Sequence, residues 1–106
     1  MVWLTIMTSI VGAHPSAADV RARIDRSPPD VSSFIERRVG CNHWEGEVFP
    51  NGFPPRQREV QNMLRTNHCS SVPRDARRLE IKYRDNAEVL NLLKDTEDLL
   101  PNELDR

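Results

Sequence analysis

Apolar residues between positions 31 and 100 recur three and four apart, the period of helices with one buried face. Val31, Phe34, Ile35 and Val39 share one face of a helix expected over 31–42. Asp30 or Ser33 can cap it, Ser33 and Glu36 stand at capping-box spacing, and Gly46 suits a left-handed stop beyond it. A second helix is expected over 56–68, with Val60, Met63 and Leu64 inward. Val72, Ala76, Leu79 and Tyr83 make a stripe along a third, over 73–84, with Ser71 as cap and Pro73 in the first turn. Val89, Leu90, Leu92, Leu93 and Leu99 or Leu100 mark a fourth, over 86–100, with Asp85 and Glu88 at capping-box spacing and Pro101 as its stop. The fold class this predicts is all-α: a small bundle of about four short helices.

Breaks in the pattern divide the chain. Residues 19–30 are polar and end in Pro28-Pro29, which reads as a flexible or weakly helical leader. Residues 47–55 carry three prolines and Asn51-Gly52, so a Pro-rich loop separates the first two helices. Phe49 and Phe53 are expected to fold from it onto the core. One helical domain over 31–100 follows, and residues 101–106 form a tail expected to fray.

The N-terminal stretch adds a compartment. Residues 2–13 hold no charge, and their apolar run has the length of a signal-peptide core. Small residues then offer cleavage after Ala13 or Ala18, so residues 1–18 are expected to be a signal peptide and the mature protein to be exported to the periplasm or cell envelope. The run falls short of the roughly 20 apolar residues of a membrane span. A buried N-terminal helix is the alternative.

Composition changes the picture less. The 106 residues carry a net charge of −1, so nucleic acid is not an expected partner. Residues 70–85 hold five bases against three acids, and residues 86–106 two against six, which suggests that the basic third helix attracts the acidic end of the chain. Arg74, Arg78 and Lys82 stand four apart on that helix, as on a solvated face. With six aromatic residues and roughly 85–90 residues after cleavage, the core is small and a covalent staple would matter.

Cys41 and Cys69 are the two cysteines, and in an exported chain they read as one disulfide joining the ends of the first two helices. The rival is a metal set of Cys41, His43, His68 and Cys69, a donor group that suits zinc. Its spacing is poor, because adjacent His68 and Cys69 on a helix end point about 100° apart. His43, Trp44 and Glu47 form the most unusual cluster. They can be read as a binding site, with Phe53 beside them, or as a brace in which Trp44 anchors the loop, His43 caps helix carbonyls and Glu47 pairs with an arginine. No catalytic triad or phosphate-cradling loop is present in the sequence pattern, and no cofactor is expected.

The run Phe34-Ile35-Glu36-Arg37-Arg38, then Cys41-Asn42-His43-Trp44-Glu45-Gly46-Glu47, resembles a group of small exported proteobacterial proteins with a Cys-x-His-(Trp/Phe)-x-Gly-Glu motif and a second lone cysteine. Arg56, Arg58, Cys69, Leu79 and Tyr83 continue the likeness over about residues 31–93. The resemblance implies export but no activity. The function expected is therefore a non-catalytic binding module for a protein or small ligand, contacting it through residues 44–53. The rivals are the metal-binding protein and a small hydrolase or enzyme accessory using His43 and Glu47.

Overall fold

The computed structural model describes residues 17–104, and these form an all-helical domain with five helices and no strand among them. The helices are α1 (Ala17–Arg26), α2 (Pro29–Glu45), α3 (Pro54–Thr66), α4 (Val72–Lys82) and α5 (Ala87–Asp95). Single 3-10 turns follow α3 at Cys69–Ser71 and α5 at Pro101–Glu103. The expected signal segment lies outside the described residues, except that Ala17 and Ala18 open α1. None of the described helices is long and apolar enough to cross a membrane.

α2 is the axis, and each of the other four helices packs against it. Its buried face is Val31, Phe34, Ile35, Arg38 and Val39, the expected apolar stripe with one arginine inside it. Pro29 opens the helix, where a missing N–H costs nothing. The start lacks a side-chain cap, and Gly46 closes it in right-handed geometry (φ −68°) rather than as a left-handed stop. Around this stripe gather Leu79 of α4, Val89, Leu92 and Leu93 of α5, with Val72, Ala76, Tyr83 and Leu99 packed at the edge. The α4 stripe is thus as expected. Asn86 caps α5 by accepting a hydrogen bond from the Val89 N–H at 3.1 Å.

Three expectations need correction. Residues 19–30 are more than a flexible or weakly helical leader: α1 lays Val20 and Ile24 into the core, and the paired prolines turn the chain into α2. α1 carries five charges in ten residues, which hid its two core positions. Residues 101–104 of the expected tail are also tied down, because the turn at Pro101–Glu103 brings Leu104 into the same core. Finally, α4 does not pair with the acidic C-terminal segment among the described residues. Its links run to α2, through Lys82 to Asp30 at 2.6 Å and Asp75 to Arg37 at 2.7 Å, while Asp95 goes to Arg23 of α1 at 2.9 Å.

α3 is held differently from the others. It fully buries one side chain, Val60, and otherwise shows polar residues to solvent. The bond between Cys41 and Cys69 fastens its far end to α2, with the Cα atoms 5.5 Å apart. A helix of this length is marginal alone, so the expected disulfide substitutes for apolar contact that α3 does not make.

Candidate functional site

The residues of the resemblance motif divide into internal clamps and a surface group. Arg37 reaches from α2 to the end of α3. Its guanidinium donates to the carbonyls of Asn67 (3.2 Å) and His68 (2.9 Å), and to the Asp75 carboxylate (2.7 Å) at the start of α4. His68 sits there in the left-handed region (φ 51°), a conformation costly for a residue with a Cβ. The Ser71 hydroxyl bonds the same carbonyl and the Asp75 carboxylate, so the turn is tied from several sides. Ser71, foremost, and Arg37 hold the Asp75 carboxyl below the usual carboxylate range.

Arg38 is 6 % exposed, and it caps α5. It donates to the Leu93 carbonyl at 2.6 Å and to the Thr96 hydroxyl at 2.9 Å, and lies 5.0 Å from the Phe34 ring centroid. A cation at a helix C-terminus completes the exposed carbonyl end. Burial is the leading influence on this guanidinium and pulls its pKa down. Asn42 performs a similar service one turn on, donating to the carbonyls of Glu97 (2.9 Å) and Leu99 (3.0 Å).

The surface group lies where α2 ends. His43 and Trp44 meet edge to face with ring centroids 5.0 Å apart. The Arg56 guanidinium stacks 5.2 Å over the Trp44 ring and comes within 3.8 Å of the Glu47 carboxylate, while its other nitrogen bonds Glu59 at 2.9 Å. Gln57 ties the loop itself. Its amide oxygen accepts from the Phe49 N–H at 3.2 Å and its amide nitrogen donates to the Glu47 carbonyl at 3.4 Å. Gly52 leaves the room for this, since a Cβ there would meet the Gln57 amide nitrogen at 2.5 Å. Trp44, Glu47, Arg56 and Gln57 therefore form a strut between α2 and α3, and the arginine partner of Glu47 is Arg56.

Above the strut the loop over 46–53 shows its apolar side chains to water. Val48, Phe49 and Phe53 are 42 %, 55 % and 72 % exposed, so the two phenylalanines do not fold onto the core. The prolines and the Gln57 tie keep the loop standing off the domain. His43 meets Trp44, Trp44 and Glu47 share Arg56, and Phe53 stands exposed on the loop.

The metal set is not assembled. Cys41 and Cys69 are joined to each other, which leaves His43 and His68 without thiolate partners, and no group of three potential ligands is gathered among the described residues. The sequence pattern assigns no role to Arg37, Arg38 and Asn42, though they stand in the motif, nor to Gln57. For Arg38 a signal existed: it stands seven residues after Val31 and four after Phe34, on the apolar stripe of α2. Comparison with family models, curated proteins and solved structures finds no match.

Proposed function

We propose that this chain is a non-catalytic interaction module of the periplasm or cell envelope, and that the loop over 46–53 is its contact surface. The observation that carries the reading is the exposure of Val48, Phe49 and Phe53 on a loop braced from below by Gln57. Covering a phenylalanine contributes about 1.5–3 kcal/mol, and a loop already held in place loses little further freedom on binding. The strut residues support the loop.

Export is supported by the disulfide, which persists in oxidising compartments, and by the uncharged run before Ala13. Cleavage after Ala13 leaves α1 whole, whereas cleavage after Ala18 removes its first two residues. The protein recovered from a native periplasmic extract is therefore expected to begin at His14. An intact Met1 would overturn export.

A photo-crosslinking amino acid placed at residue 53 tests the contact surface in cells, with the exposed α1 position Ala22 as control. The expected result is a discrete adduct from residue 53 and none from residue 22. Adducts from residue 22 alone, or from neither, would remove the loop from consideration.

A further inference from the structure

Beside the exposed loop runs a groove of about 450 Å³, lined by Pro50 of the loop and by Pro54, Arg58, Gln61, Asn62 and Arg65 of α3. Resting on the interaction-module reading, we infer that this groove takes an extended peptide segment of a partner protein, one that sets a carboxylate beside an apolar side chain.

The first ground is charge. Residues 58, 61, 62 and 65 fall on one face of α3, opposite the buried Val60. The groove walls hold two arginines and no acid. Arg65 donates to the Asn62 side chain and Arg58 has no ion-pair partner among the described residues, whereas their neighbour Arg56 is engaged by Glu47 and Glu59. Two guanidiniums at the rim of one groove are matched by a carboxylate, which they can bind in bidentate fashion.

The second ground is the rest of the lining. Gln61 and Asn62 each offer a donor and an acceptor, the complement of a peptide bond. The lining prolines supply apolar surface for a side chain, and exposed Phe53 stands in the chain between the lining residues Gly52 and Pro54. An anionic bilayer fits less well. Residues 45–66 carry three arginines against three glutamates, so this end of the molecule has no net attraction to a charged plane, and the apolar surface lies partly in a concavity.

Panning the disulfide-bonded protein against a random peptide library on phage tests the inference. The expected outcome is enrichment of sequences with Asp or Glu within a few residues of an aromatic or branched apolar residue. A synthetic peptide of the consensus should bind the Arg58→Glu/Arg65→Glu variant about tenfold or more weakly, and panning that variant should select Lys or Arg instead. Both positions are exposed, and circular dichroism confirms that the variant is folded. A consensus lacking acids, or an affinity indifferent to the double reversal, overturns the inference. If such a neutral consensus still loses binding on Phe53→Ser, the contact loop stands and the acidic partner falls. If nothing is enriched over a Phe49→Ser/Phe53→Ser control, both fall.

Discussion

Replacing both Cys41 and Cys69 by alanine should loosen α3 before it loosens anything else. The two cysteines are separated by 28 positions, for which the chain-entropy relation gives about 3.5 kcal/mol at 25 °C. What would remain to hold α3 is the burial of Val60, about 2 kcal/mol at most, the partial cover of Met63 and Leu64, the two Arg37 bonds to the carbonyls after its end, and the half-exposed strut of Arg56 and Gln57 onto Trp44 and Glu47. Against this stands the cost of ordering 13 residues that are marginally helical alone. The core of α1, α2, α4 and α5 does not include Val60 or either cysteine. Hydrogen exchange is the deciding assay. In the wild type, α3 amides should open with free energies close to those of α2. In the double variant they should open more easily than α2 and α5 amides by about 2 kcal/mol or more, alongside a global loss of about 2–5 kcal/mol. Equal protection of α3 and α2 in the variant would refute the claim that the bridge substitutes for packing.

Other consequences follow from single side chains. Arg38→Met keeps the volume but leaves the Leu93 carbonyl without its charged donor, so urea unfolding should show a loss of about 1–3 kcal/mol; a loss under 0.5 kcal/mol would mean that the cap is idle. His68→Gly removes a left-handed residue with a Cβ and should be neutral or stabilising by up to about 1 kcal/mol in the same assay, and a clear loss would show that the imidazole does structural work. Gly52→Ala should displace the Gln57 amide and cost about 1–2 kcal/mol through its two loop bonds, read as a lowered melting temperature. Tyr83 is the one tyrosine, and the hydrogen bond from its phenol to Asp30 raises its pKa above the usual 10.0, so tyrosinate absorbance should titrate late and return toward the usual range in Asp30→Asn. The sign is opposite for the two partners. The stabilisation linked to Tyr83 is complete below the ordinary phenol range and lost as pH rises through the folded value, whereas Asp30, held low chiefly by Lys82 and then by Tyr83, contributes above the ordinary carboxylate range and loses that contribution as pH falls below it.

The sequence exposed α2, α4 and α5 because each carries a stripe of branched or aromatic residues at helical spacing, and the bridge because two cysteines have one intramolecular pairing. It concealed α1, whose two core residues are surrounded by charge, and Leu104, whose burial depends on a turn closed by Glu103 accepting from the Leu100 N–H at 3.1 Å. The caps were harder to read. Asn86 acts as a cap, but α2 begins at Pro29 and α4 at Val72-Pro73, neither with a side-chain cap, and the left-handed residue is His68 rather than Gly46. The loop was misjudged for a physical reason: the hydrophobicity of Phe49 and Phe53 argues for burial, yet the prolines around them and the Gln57 tie decide where the backbone can go.

The motif that stands out in the sequence is accounted for largely by architecture. Glu36 bonds Arg21 of α1 at 2.7 Å, Arg37 and Arg38 close the ends of α3 and α5, Cys41 fastens α3, Asn42 caps the turn after α5, and Glu47 meets Arg56. One helix, α2, thus carries most of the polar groups that join the domain together, because it is the element every other helix touches. Polar side chains spent on helix ends cannot also meet a ligand without opening the fold. What remains exposed where these clamps stop is the pair of phenylalanines of the loop, with Arg58 and Arg65 on the outer face of α3. These surfaces adjoin α3, whose one buried side chain, Val60, lies outside the main apolar cluster, so the disulfide that fixes α3 also fixes the geometry of the groove. A reducing environment should therefore weaken partner binding by disordering the groove wall even where the core of the other four helices persists.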